Sequence, residues 1–309
     1  MRQKAWTAVV GPGAVGGVLA ASLVRAGLDV RVAGRRPADA AALGRTGLSL
    51  TRPTGRSSRV RGLKTLSSRP TGECAAVFVC VKASDLARAL PAARKAAGPD
   101  TPVVSLLNGV GHEAALKRAV GGRRLVLGSA YFAAMRLGPR SVRHAGGTLV
   151  WLAETRENRA AARQAARLLR RAGWTVHLKR DEARLLWTKL IYNAAVNPIA
   201  ALTRRSNGAL VSDPALKELT LRTMAEARAA AAAAGHEPYP EMTARGVLAG
   251  CRAVPDQMNS MIQDLAAGRR TEADVLLGPL VRAARRKRVP VPTLETLWAS
   301  VKRLEASLI

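Results

Sequence analysis

Residues 6–36 read WTAVVGPGAVGGVLAASLVRAGLDVRVAGRR. Trp6–Val10 is a short apolar, β-prone run. It leads into Gly11-Pro12-Gly13-Ala14-Val15-Gly16, then an Ala- and Leu-rich stretch ending near Gly27, then a second β-prone run at Val30–Ala33. The order is strand, GxGxxG turn, helix, strand. A lone GxGxxG says little, but inside a βαβ unit it points to dinucleotide binding. Gly11 permits the tight turn, Gly13 lets the backbone approach a pyrophosphate, and Gly16 lets helix and strand pack closely. The helix N-terminus at Ala14 and Val15 then turns its amides and the positive end of its dipole towards the phosphates.

The residues after the second strand decide the cofactor. NAD sites usually carry an Asp or Glu about 20 residues beyond the glycines, on the ribose 2′-hydroxyl. Here the chain reads Ala33-Gly34-Arg35-Arg36, with no acid before Asp39. A guanidinium grips a 2′-phosphate in a bidentate way. The expected cofactor is therefore NADP(H), with Arg35 the main contact and Arg36 its helper. In an arginine-rich chain the same pair also reads as plain surface charge.

Thr7–Val24 is 18 residues without a charge, long enough on length alone for a membrane span. Its glycines and proline cluster where the turn needs them, and no other stretch looks membrane-spanning. The expectation is a soluble, cytoplasmic protein with no membrane partner.

Working outward, β-prone runs at 6–10, 30–33, 76–81, 102–107, 125–131, 148–153 and 174–179 alternate with helical stretches at 14–26, 84–97, 112–119 and 156–172. That alternation predicts a mostly parallel, doubly wound α/β sheet. Pro91 should kink or shorten its helix. From Asp181 onwards only helices are expected, at 181–202, 213–234, 242–252, 256–267, 271–288 and 293–307. The reading is a Rossmann-type NADP-binding domain at 1–179 and an all-α substrate and catalytic domain at 180–309.

The first helix of that second half contains Leu185–Pro198, LLWTKLIYNAAVNP. Lys189, Asn193 and Asn197 recur every four residues, so they share one stripe. The other faces are apolar, and a helix apolar all round is normally buried. Burying unpaired amides costs roughly 2–7 kcal/mol each. Either a polar ligand or neighbouring carboxylates and backbone groups must meet that stripe. Two strand-ending loops also read as site material: Val81-Lys82, and Asn108-Gly109, although Asn-Gly favours turns on its own account. Further on, Ser260-Met261-Ile262-Gln263-Asp264 precedes Gly268-Arg269-Arg270-Thr271-Glu272. Thr271 and Asp274 resemble a capping box, which would leave Glu272 in a first turn where a carboxylate is favourable anyway.

The 309 residues suit two domains. Cys74, Cys80 and Cys251 show no CxxC spacing, and the four histidines are scattered, so neither a disulfide framework nor a metal site is indicated. The net charge of +29 invites a nucleic-acid reading. The arginines are spread along the whole chain, however. The densest run, Arg285–Arg288, falls at a predicted helix C-terminus, where cations suit the dipole. A solvated basic face is the preferred reading, with no specific nucleic acid.

Together these residues resemble the ketopantoate reductase (2-dehydropantoate 2-reductase) family. The similarity runs from end to end. It covers the glycine turn at 11–16, the arginine after the second strand, VK at 81–82 and NG at 108–109. It continues with WxKLxxNxxxNP at 187–198, NG at 207–208 and SMxxDxxxGRxTE at 260–272. The resemblance implies NADPH-dependent reduction of ketopantoate to pantoate, a step of pantothenate biosynthesis. It implies that Lys189 is the general acid and that Glu272 assists it. It places Asn108, Asn193, Asn197, Asn207 and Ser260 on substrate positions, and Lys82 and Asn108 beside the cofactor. Gln257 departs from the family, which often has asparagine there, so the substrate could be another 2-keto acid. A non-catalytic NADP-binding regulator is the alternative from a different class. The oligomeric state is left open, a homodimer included.

Overall fold

The computed structural model describes residues 5–66 and 72–307. The chain divides into two compact units, one of residues 1–107 with 112–182, the other of residues 108–111 with 183–309.

The first unit is a sheet with flanking helices. In chain order it holds β1 (Trp6–Val10), α1 (Ala14–Arg25), β2 (Asp29–Ala33), α2 (Pro37–Thr46), β3 (Leu48–Thr51), β4 (Ser57–Val60) and β5 (Leu63–Thr65). There follow β6 (Cys74–Val79), α3 (Leu86–Ala96), β7 (Val103–Ser105), α4 (Glu113–Val120), β8 (Leu125–Gly138), β9 (Ser141–Ala153), α5 (Arg159–Arg171) and β10 (Thr175–Lys179). Strands β5-β2-β1-β6-β7-β8 lie side by side and parallel. Numbered among themselves they run 3-2-1-4-5-6, the doubly wound dinucleotide-binding order. The order reverses between β1 and β6, which is where ligands bind in such sheets. The glycine turn leaves the end of β1 at that point. Beyond Leu127, β8 turns into an antiparallel partner of β9, and β3, β4 and β10 extend the sheet from there.

The strands of the parallel part are buried on both faces, so they read as continuous Val- and Ala-rich runs. Helix α1 buries Val18, Leu19, Ala20, Ala21 and Leu23 against them, in one core with Val9, Val32, Phe78, Val104 and Leu152. Small residues at Gly16 and Gly17 bring α1 close to the sheet.

The second unit is helical: α6 (Glu182–Thr203), α7 (Ala209–Ser212), α8 (Pro214–Ala233), α9 (Ala244–Arg252), α10 (Ser260–Ala266), α11 (Ala273–Leu276), α12 (Gly278–Lys287) and α13 (Pro292–Ala306). Helix α6 runs through its core, with Leu190, Ile191, Ala194, Val196 and Ile199 fully buried. Local signals set the helix starts. Asp213 accepts from the Ala215 and Leu216 amides ahead of Pro214, and Asn259 accepts from Met261 and Ile262. Among the described residues, no helix is long and apolar enough to cross a membrane.

Several expectations need correction. Helix α2 and strands β3, β4 and β5 were not anticipated. The strands are only 3–4 residues long and carry Ser, Arg and Lys, so no apolar run marks them. Strands β8 and β9 extend to meet in a hairpin at 138–141, well beyond 125–131 and 148–153. Helix α3 contains Pro91 and runs Leu86–Ala96, shorter than the expected 84–97, with a 3-10 turn at Ala83–Asp85 ahead of it. The helix expected at 256–267 starts only at Ser260, because Asn259 caps it. The single helix expected at 271–288 is two, α11 and α12, with Pro279 in the first turn of the second, where its missing N–H costs nothing.

Candidate active site

In the first unit the glycine turn is built by backbone. The Gly11 amide donates to Ala33 O (2.8 Å), and the Gly13 amide donates to Gly11 O (2.8 Å). Gly11 has φ +89°, which favours glycine. A Cβ on Gly16 would overlap the Gly11 carbonyl oxygen and stand 3.0 Å from Cys80 Cβ, whereas one on Gly13 would meet nothing within 4 Å. So Gly16 is fixed by packing, and the space beside Gly13 is left for something else. No side chain caps α1, and its first turn holds no acid. The amides of Ala14, Val15 and Gly16 therefore lack intrahelical partners, and Pro12 holds the turn just before them. Beside Gly16, burial pushes the Cys80 thiol up to about 12.

Arg35 is exposed just past β2 and makes no ion pair among the described residues. Arg36 is the N-cap residue of α2 and donates to Asp39 at 3.0 Å. It is thus tied to its own helix rather than presented beside Arg35. Lys82 follows β6 and stands at the N-cap position of the 3-10 turn, with no side-chain cap bond. The end of β6 pairs with the end of β1, Val79 opposite Val10.

In the second unit the residues 108–111 and α6 come together with the turn before α11. Asn108 Nδ2 donates to Glu272 Oε2 (3.2 Å), and Asn193 Nδ2 donates to Asn108 Oδ1 (3.5 Å). Gly109 has φ +83°, and a Cβ there would press on Val275. Only glycine lets the tetrapeptide lie so close to α11. Lys189, Asn193 and Asn197 do fall on one helix. Asn193 and Asn197 are buried, and Lys189 is partly buried with Nζ 4.9 Å from the Tyr192 ring centre. Burial of the ammonium pulls the Lys189 pKa from 10.5 down to about 8.

Glu272 is held by a network the sequence did not reveal. The Thr271 amide donates to buried Glu305 Oε1 (2.7 Å), the Thr271 hydroxyl donates to the same oxygen, and the Ala273 amide donates to the Thr271 hydroxyl (3.1 Å). Lys302 bridges Glu305 and Asp274 (2.7 and 2.8 Å), and Trp298 donates to Asp274 (3.0 Å). The capping-box expectation is therefore wrong: Glu305, not Asp274, takes the Thr271 amide. Glu272 is the N-cap residue of α11, and its side chain caps nothing. Ahead of it, Arg269 pairs with buried Asp264 at 3.1 Å and closes the loop after α10. Ser260 is exposed at the first position of α10. Asn207 is buried and joined by its amide to Gln257 O (3.1 Å). The side-chain oxygens of both, Asn207 Oδ1 and Gln257 Oε1, are buried with no donor.

The lowered Lys189 pKa carries a stability cost with a definite sign. Below about pH 8 the charged ammonium is retained in the fold at full cost. Between about 8 and 10.5 the folded protein sheds the proton that the unfolded chain keeps, and the cost fades. Lys189→Met should therefore stabilise the protein at pH 7, on the order of 2 kcal/mol. The gain should shrink towards pH 10.5. Urea unfolding at both ends of that range checks it, and a Met variant less stable than the parent at pH 7 contradicts it.

Comparison with known proteins agrees with this architecture. The family model "Ketopantoate reductase PanE/ApbA" matches residues 7–157, and its C-terminal counterpart matches residues 182–305. The 2-dehydropantoate 2-reductase of Halobacterium salinarum is 30% identical over 291 residues, 94% of this chain and 95% of that one. The solved PanE/ApbA family ketopantoate reductase of Ralstonia eutropha JMP134 is 30% identical with a TM-score of 0.81, covering 98% of this chain and 99% of that one. A D-mandelate dehydrogenase solved with NADH and anilino(oxo)acetate shares the fold at TM-score 0.85 and 22% identity, over 98% and 99% of the two chains. With both family models matched in order across nearly the whole chain, the protein belongs to the ketopantoate reductase family.

Proposed function

We propose that the protein reduces ketopantoate to pantoate with NADPH, as a 2-dehydropantoate 2-reductase. The observation that carries this reading is the hydrogen-bonded chain Asn193–Asn108–Glu272, with Lys189 one turn before Asn193 on the same helix. It gathers a partly buried lysine of lowered pKa, a carboxylate and two amides, drawn from segments 164 residues apart between Asn108 and Glu272. A purely structural helix has no use for that set.

In the first unit, Gly11, Pro12, Gly13, Ala14, Val15 and Gly16 would cradle the pyrophosphate, and Arg35 would meet the 2′-phosphate. Lys82, and Asn108 of the second unit, would line the cofactor further along. The open space beside Gly13 and the acid-free first turn of α1 fit such a group. When bound, the nicotinamide supplies the hydride. In the second unit, Lys189 Nζ–H donates to the ketone oxygen and hands over its proton as negative charge builds there. Glu272, steadied by Asn108, holds the lysine's surroundings polar and the substrate in place. Asn193 and Asn197 orient the substrate with Ser260.

Following NADPH oxidation at 340 nm across a panel of 2-keto acids tests the reading. Turnover fastest with ketopantoate supports it. Preference for another member of the panel assigns a different 2-keto acid, which the Gln257 departure would then explain. NADPH binding with no turnover on any member indicates a regulator.

The cofactor choice has its own test. NADPH should bind more tightly than NADH. Arg35→Ala should weaken NADPH by about 1.5–3 kcal/mol, the worth of a charge-assisted contact, and leave NADH nearly unchanged. Arg36→Ala should matter less, because Arg36 is engaged with Asp39. Fluorescence titration measures all four affinities, and equal affinity of the parent for the two cofactors rules the assignment out.

A further inference from the structure

A cleft of about 450 Å³ opens in the first unit at the far end of α1. Arg25, Arg52, Arg171, His144, Thr148 and Trp174 are in its wall, and no carboxylate is. The glycine turn is at the other end of the same helix, which spans about 18 Å for 12 residues at 1.5 Å each; the cleft is lined from Val18 to Ala26, and Arg25 stands at the end away from the turn.

Unpaired arginines are common in so basic a chain, and two of these three stand at helix ends, where a cation suits the dipole. The helix ends do not use them, however. Helix α1 is closed by backbone bonds, Ala26 to Ser22 O (3.0 Å) and Gly27 to Val24 O (2.9 Å), with Gly27 at φ +77°. Helix α5 is closed the same way at Ala172 and Gly173, and Arg170, unlike Arg171, is engaged, donating forward to Val176 O of β10 at 2.8 Å. None of Arg25, Arg52 and Arg171 forms an ion pair among the described residues. The Nε of Arg52 is buried and has no acceptor. That nitrogen lies below the surface, so what Arg52 can offer a ligand in the cleft is the rest of its guanidinium.

The remaining wall mixes apolar side chains with Ser22, His144 and Thr148, and its aromatic part is fixed. Trp174 is buried, donates to Ser22 Oγ (2.8 Å) and packs against Phe132, with ring centres 4.4 Å apart. His144 lies 5.6 Å from the Trp174 ring and is held by Gly147 O (2.6 Å). Three guanidiniums with their forked donors match a dianionic oxyanion. The volume lies within the range of small-molecule pockets and exceeds what a bare phosphate needs. We propose that this cleft binds the phosphate group of a small phosphorylated metabolite. The organic part would rest against Trp174 and His144, at a site separate from the glycine turn. The proposal does not rest on the assigned reaction.

Equilibrium dialysis of radiolabelled glycerol 3-phosphate against the full chain, at constant ionic strength in potassium chloride, tests it. The expected result is one saturable site that survives Arg35→Ala. Arg52→Ala/Arg171→Ala should weaken it by about 10- to 100-fold, and Arg25→Gln by less. Arg171→Lys should restore part of the affinity, since the charge remains but the fork is lost. All four positions are at the surface or in a loop, and circular dichroism confirms that each variant is folded. Absence of saturable binding overturns the proposal. So does binding that the double replacement leaves unchanged, binding that disappears with Arg35→Ala, or equal displacement by citrate at the same concentration, which would show a general polyanion patch.

Discussion

Replacing Lys189 with alanine should lower turnover by roughly 10²–10⁴-fold, the worth of a positioned general acid. NADPH binding should survive, because the glycine turn belongs to the other unit. The unmodified enzyme should also show a pH signature. The acid acts only while protonated, so kcat should hold below pH 8 and fall as pH rises through about 8, well before an ordinary lysine at 10.5 would titrate. Glu272→Ala should slow the reaction as well, and the double variant should lose less than the two effects summed, because residues acting as a unit are not additive. Steady-state rates against pH, beside fluorescence titration of NADPH, give all of these. A folded Lys189→Ala protein that works at near the original rate would make the polar stripe on α6 purely structural.

The second large effect is expected at the glycine turn, and it separates two glycines three residues apart. In Gly16→Ala the new methyl would run into the Gly11 carbonyl and Cys80. Backbone cannot yield as a side-chain tip can, so the turn must open. A stability loss of about 2–4 kcal/mol and a loss of NADPH affinity beyond about 100-fold should follow. In Gly13→Ala the methyl points into open space. Stability should change by less than about 1 kcal/mol, while NADPH affinity still drops, because that space is where the pyrophosphate would approach. Urea unfolding and cofactor titration on both variants check the contrast. Similar stability losses for the two would mean that the turn is not built as described.

What could be read from sequence was what local spacing determines. The glycine turn announces itself because each glycine does a separate steric job within six residues. The stripe of Lys189, Asn193 and Asn197 is visible because the helical period alone places it. The short strands β3, β4 and β5 escape, since three or four residues with serine, lysine and arginine carry no apolar periodicity. The break between α11 and α12 was in principle visible, as Pro279 sits where a new first turn would welcome it. The support of Glu272 was not. Glu305 reaches Thr271 from 34 residues away, and Asn108 reaches Glu272 from 164, so both contacts exist only once the helices have packed. Charge composition misled least when it was given least weight. The arginines that matter to the inferred anion cleft are Arg25, Arg52 and Arg171, none of them in the conspicuous Arg285–Arg288 run.

The tetrapeptide Asn108–Gly111 belongs by its contacts to the helical unit although it is threaded between β7 and α4 of the other. That placement sets an order of events during synthesis. Its partners around Glu272 are made 164 residues later, which at about 5–20 residues per second is a wait of roughly 8–30 s. Over that interval the parallel sheet can close on either side of the loop, while Gly109 still lacks Val275 and Asn108 can meet Asn193 but not Glu272. Capture of this strip therefore waits for a segment made 164 residues later, and the Asn108–Glu272 hydrogen bond cannot form before Glu272 has been synthesised.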